Sequence, residues 1–151
     1  AFLRSVVTST VAGYFTSFAP TTWTKLDNIS DTGTVTSTTY TDTLSSAASA
    51  TLAFVVPASG SVEITIHAAV DNSGTNYTFV SFRISGAAGT VAASDDYAIS
   101  ANGTDDHTAP RSTIITGLTA GAAGTITMQY RVGADTGTVD HRSIIQKPMP
   151  A

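Results

Sequence analysis

The sequence predicts an all-β domain of about eight strands, an antiparallel sandwich, jelly roll or small barrel, behind a short N-terminal arm. Three observations carry this expectation. Apolar and polar residues alternate with period two over Ser61 to Val70 and again over Thr125 to Val132, which is the pattern of half-buried strands. Clusters of Gly, Asn, Asp, Pro and Ser punctuate the chain at intervals of roughly 8 to 15 residues, as turns between short strands do. No stretch holds a convincing helical period, and Ser and Thr supply roughly three residues in ten, with the strand former Thr dominant.

Taken in order, residues 1–20 come first as a separate region. They hold Phe2, Leu3, Val6, Val7, Val11, Tyr14, Phe15 and Phe18, are interrupted by Gly13 and end at Pro20. The spacing fits neither a clean helix nor a clean strand. Two readings stay open: an N-terminal strand covering the domain's own core, or an arm that docks on a partner, because an unbound segment this apolar is an association hazard.

Residues 21–151 read as the folded body. Thr22 to Leu26 is a short strand ending at Asp27-Asn28, and Val35 to Thr43 is a Thr-rich strand. Ala50 to Val56 follows, closed by the Pro57-Ala58-Ser59-Gly60 turn. The strand from Ser61 to Val70 sets Val62, Ile64, Ile66, Ala68 and Val70 on one face and Glu63, Thr65, His67 and Ala69 on the other. Asp71-Asn72-Ser73-Gly74 turns the chain into Tyr77 to Ser85, with Val80, Phe82 and Ile84 inward. Thr90 to Ala92, Tyr97 to Ser100 and Ser112 to Leu118 are shorter strands. Thr125 to Val132 sets Ile126, Met128, Tyr130 and Val132 against Thr127, Gln129 and Arg131, and Val139 to Gln146 closes the domain.

Composition narrows the function. The chain has 151 residues and no Cys, so one domain builds its core without disulfides, and thiolate metal or redox sites are excluded. Charged residues are 12% of the chain, about half the usual share, which leaves a surface of hydroxyls rather than salt bridges. The net charge is -4 and the seven Lys and Arg are scattered, so no basic stripe offers itself to nucleic acid. No apolar run is long enough to span a bilayer, and no membrane partner is expected. Ala1-Phe2-Leu3-Arg4 lacks the start of a signal peptide. An N-terminal Ala is what removal of an initiator Met leaves, so the expectation is a chain close to a whole gene product.

Four stretches carry a resemblance: Thr36 to Asp42 (TSTTYTD), Val55 to Val62 (VVPASGSV), Ile115 to Gly121 (ITGLTAG) and Met128 to Val132 (MQYRV). The ending from Thr136 to Ile145 looks like the closing hairpin of the same kind of domain. Over about Val35 to Met149 the chain resembles small β-structured virion proteins of tailed bacteriophages, especially phages of actinobacteria. The resemblance implies a jelly-roll-like module, often trimeric, displayed on a head or tail as a decoration protein, fibre head or minor tail protein. It brings no catalytic residues, and residues 1–20 fall outside it.

Chemistry-bearing constellations are sparse. Asp95-Asp96 and Asp105-Asp106 are oxygen-rich but lack the spacing of a calcium loop. His67, His107 and His141 are lone residues without the paired spacing of zinc ligands. Glu63 is the only Glu, so a glycosidase pair of glutamates is absent, and no Gly-x-Ser-x-Gly elbow or P-loop occurs. No enzymatic activity, no metal and no cofactor are expected. Asn28, Asn76 and Asn102 each open an Asn-x-Ser/Thr triplet, which chance explains in so Thr-rich a chain.

The leading expectation is a capsid decoration protein on the outer surface of the virion. It would bind the major capsid protein or another virion protein of a phage head as a homotrimer through its arm, with Phe2, Leu3, Arg4, Tyr14, Phe15 and Phe18 as anchors. The absence of a heptad or collagen-like stalk favours decoration over a tail fibre. The alternative is a minor tail or fibre-head module that recognises host-surface glycans, with Trp23, Tyr40, Tyr77 and Tyr97 as candidate stacking aromatics and Trp23 and Tyr97 foremost as glycan or interface residues. A third reading is a carbohydrate-binding module from a larger secreted enzyme.

Overall fold

Strands form where the alternation predicts them. In chain order they are β1 Thr24–Ile29, β2 Gly33–Val35, β3 Thr51–Val55, β4 Val62–Asn72, β5 Tyr77–Gly86, β6 Ile99–Asn102, β7 His107–Ile115, β8 Ala123–Val132 and β9 Gly137–Pro148, with one 3-10 turn at Asp95–Tyr97. The computed structural model describes residues 23–151. The arm expected over residues 1–20, with Phe2, Leu3, Arg4, Tyr14, Phe15 and Phe18, lies outside the described residues.

The strands make two antiparallel sheets. The front sheet runs β1-β9-β4-β7, with β2 also paired to β9, and the back sheet runs β3-β8-β5-β6. From β3 onward the chain passes between the sheets at almost every connection, so neighbours in a sheet are distant in sequence. This is an antiparallel sandwich of the jelly-roll kind, as expected. The inward faces are those the alternation names. Val62, Ile64 and Ile66 of β4 meet Val80, Phe82 and Ile84 of β5 and Ile126, Met128 and Tyr130 of β8, all without solvent exposure. Burying each of these apolar side chains contributes about 1.5–3 kcal/mol.

Four local expectations are corrected. The Thr-rich stretch after Val35 is not a strand: residues 36–50 run irregularly beside the end of β8 that β3 leaves unpaired, bonded at Ser37, Thr41 and Ala50. Thr has strand propensity, but here it finds a backbone partner only intermittently. Thr90 to Ala92 is reduced to one bridge between Val91 and Ile84, and Tyr97 belongs to the 3-10 turn. Strand β7 begins at His107, before Ser112, and passes through Pro110. Proline is tolerated because β7 pairs only with β4 and leaves one edge free.

Strand β9 carries a β-bulge. His67 pairs with Ser143 and Ala69 with Asp140. One residue of β4 therefore stands opposite two of β9, His141 and Arg142, and His141 takes φ 46°. The extra residue resets the alternation. Val139 faces inward before the bulge, and Arg142, Ile144 and Gln146 face inward after it, all three almost without exposure.

Candidate functional site

The two outer faces differ in how they are finished. The back face is crossed by two of the protein's own segments. From one side Asp42 reaches Arg83, at 2.7 and 3.1 Å, and also accepts from Gln129. From the other side Asp95 binds both Nε and Nη2 of Arg131. The segments meet where the Tyr40 hydroxyl donates to Asp95 Oδ1 at 2.8 Å. Arg131 holds the Asp95 carboxyl below the usual carboxylate range. Burial, reinforced by the Asp95 charge, pushes the Tyr40 phenol well above its ordinary value. The Arg131 guanidinium also lies 3.8 Å from the Phe79 ring centroid, and Tyr77, 49% exposed, stands 5.9 Å from that ring.

The front face carries no such cover among the described residues. Register places its outward residues in rows: Lys147, Glu63 and Ile114; then Lys25, Ile145, Thr65 and Ser112; then Ser143, His67 and Pro110. Thr65 and Ser112 share a hydroxyl hydrogen bond of 2.6 Å. Lys147 sits 3.4 Å from Glu63 and 5.2 Å from the Trp23 ring. Trp23 is 60% and Ile114 57% exposed. The face therefore mixes apolar and hydroxyl side chains with Lys25, Glu63 and Lys147, and leaves Trp23 and Ile114 open to solvent.

A groove of about 770 Å³ runs across this face. Its walls include Lys25, His67, Pro110, His141, Ile145 and Asp106. The His67 Nδ1 lies 3.1 Å from the backbone oxygen of His141, and the His141 Nδ1 lies 2.7 Å from Asp140 Oδ1. Asp140 raises the His141 pKa above its ordinary value, with Asp106 adding to the effect. Among the described residues no three His, Cys, Asp or Glu side chains are placed to hold an ion together.

The aromatics named from the sequence do not form one platform. Trp23 stands over Lys147 on the front face, whereas Tyr97 stacks on the buried Phe82 ring at 5.6 Å and packs against the core. Of the three histidines, His67 and His141 come together and His107 opens β7. Tyr40 and Tyr77, also named from the sequence as stacking aromatics, lie instead on the back face, and sequence reasoning missed only that Phe79 and Arg131 gather with them. The signal was the outward parity of Phe79 and Arg131, opposite each other in β5 and β8.

The chain matches no protein-family profile and no curated protein sequence. Among solved structures it is similar to Eiger TNF from S. frugiperda, with 8% identity, TM-score 0.49, 85% of this chain covered and 92% of that one. It is similar to a chain in the structure of infectious bursal disease virus Gx strain, with 12% identity, TM-score 0.40, 81% of this chain and 34% of that one. It is also similar to a carbohydrate-binding module of Cellvibrio mixtus lichenase 5A, solved with cellotriose, with 12% identity, TM-score 0.38, 83% of this chain and 90% of that one. These likenesses concern the path of the backbone, and none of them identifies a ligand or a partner for this chain.

Proposed function

We propose that the protein is a non-enzymatic virion surface module, a decoration protein carried on a phage head as a homotrimer. The front face is where copies meet, and residues 1–20 are the attachment to the shell. The observation that carries this reading is the contrast between the faces. The back face is closed by the protein's own ion-paired segments, while the front face presents Ile114, Pro110, Ile145 and Trp23 among hydroxyls. Packing that face against copies of itself removes apolar area from water at about 25 cal/mol per Å². The resemblance over Val35 to Met149 supplies the virion setting.

Sedimentation equilibrium of the full chain tests the assembly. The wild type is expected as a trimer and Ile145→Arg as a folded monomer, while Ser85→Arg on the back sheet remains trimeric. A monomeric wild type, or an assembled Ile145→Arg variant, overturns the reading. Electron microscopy of purified particles tests the setting, with copies expected around the head. Deletion of residues 1–20 is expected to abolish particle binding.

One observation favours the second reading, a tail or fibre-head module that recognises host glycans. Exposed Tyr77 beside Phe79, Arg131 and Tyr40 offers stacking surface next to fixed polar groups. Copies located at the tail tip, together with glycan binding lost in Tyr77→Ala, support that reading over decoration.

A further inference from the structure

We propose that the front-face groove holds a divalent transition-metal ion, bound by the Nε2 atoms of His67 and His141 with water completing its coordination. Three features of the groove carry this. First, the tautomers are set. A backbone carbonyl only accepts, so the His67 Nδ1 that faces the His141 oxygen at 3.1 Å carries the hydrogen and the neutral ring keeps its lone pair on Nε2. The Asp140 carboxylate, 2.7 Å from the His141 Nδ1, imposes the same choice on the second ring. A histidine ligand to a metal is ordinarily oriented in this way, by an acceptor on its other nitrogen.

Second, the bulge sets the His67 ring against the backbone of His141. His141 is the additional residue in β9 opposite the His67–Ala69 step of β4. Its φ of 46° is a conformation most side chains avoid, and both imidazoles line the one groove. Third, the local charge suits a cation, since Asp106 lines the groove and Asp140 borders it, with Lys25 the opposing charge. Two imidazoles on adjacent strands suit Zn²⁺, Ni²⁺ or Cu²⁺ rather than Ca²⁺ or Mg²⁺, which take oxygen ligands.

Isothermal titration of the full chain with ZnCl₂ at neutral pH tests the proposal. One saturable site per chain is expected. His67→Ala and His141→Ala should each weaken it by at least tenfold, and Asp140→Ala should weaken it by about 10- to 100-fold through the lost acceptor. His107→Ala should leave it unchanged. Long-range ¹H–¹⁵N spectra of the metal-free protein should show both neutral rings carrying their hydrogen on Nδ1, with the Nε2 resonances shifting on Zn²⁺ addition. Absence of saturable binding, or equal affinity in the His67→Ala variant with a native ¹H–¹⁵N amide spectrum, overturns the proposal.

Discussion

Arg142 and Asp31 form an ion pair whose two ends lie in different surroundings. The arginine side chain has no solvent exposure, while that of the aspartate is 36% exposed. Arg142 Nη1 also donates to the Ala48 carbonyl at 2.8 Å and to the Tyr130 hydroxyl at 2.9 Å, and Asp31 accepts from the Ala48 amide at 2.7 Å. The pair therefore fastens the segment around Ala48 to the interior of the sandwich.

The asymmetry predicts unequal mutant costs. Asp31→Ala strands a buried guanidinium and is expected to destabilise by about 3–5 kcal/mol. Arg142→Met leaves an aspartate that water can reach and fills the site with an apolar chain of similar length, so a loss of about 1–3 kcal/mol is expected. Urea denaturation of both variants checks the order, and an Arg142→Met protein less stable than Asp31→Ala contradicts it.

The back-face pairs are expected to matter less. Arg83 and Asp42 are both about one-third exposed, and exposed pairs contribute about 0–1 kcal/mol. Asp42→Ala should shift the urea midpoint far less than Asp31→Ala, and the shift should shrink further in high salt.

Acid should destabilise the fold through three carboxylates. The Ala48 amide lowers the Asp31 pKa, with Arg142 adding to it, and Arg83 and Arg131 lower those of Asp42 and Asp95. A depressed folded pKa gives stability that is present above the unfolded value of about 3.8 and is lost as pH falls through the folded values. Urea midpoints are therefore expected to be insensitive to these groups from neutral pH down to about 4 and to fall below it. In the Asp31→Ala variant part of that fall should disappear.

Gly124 is expected to resist enlargement. A Cβ there would lie 2.7 Å from the Ala88 Cβ and 2.8 Å from the Phe54 ring. Gly124→Ala should therefore cost about 1–3 kcal/mol by overpacking, measured as a drop in thermal midpoint with the β-sheet circular dichroism signal retained.

The sheet faces were legible in the sequence, and the polar interior was not. Val62 to Val70 and Ile126 to Val132 declare their inward sides because alternation and burial coincide there. In β9 simple alternation from Val139 would turn Ser143 and Ile145 inward. The bulge at His141 buries Arg142 and Gln146 instead, and nothing in the local residue pattern announces a one-residue offset. The same offset hid the approach of His67 to His141, so the histidines read as isolated. The start of β7 escaped because His107, Arg111 and Ser112 are exposed at a sheet edge, where burial leaves no pattern to read.

Pro110 has a consequence for the size of any assembly. A free strand edge invites further strands, and repeated addition yields open-ended filaments. At the outer edge of β7 the ring of Pro110 removes one backbone donor, and Asp105 and Asp106 precede the strand with like charges. On the back sheet the edge strand β6 has only four residues. Growth along the hydrogen-bonding direction is thus discouraged at both of these edges. Copies that associate through a broad face instead can close into a ring, which stops at a fixed number of subunits.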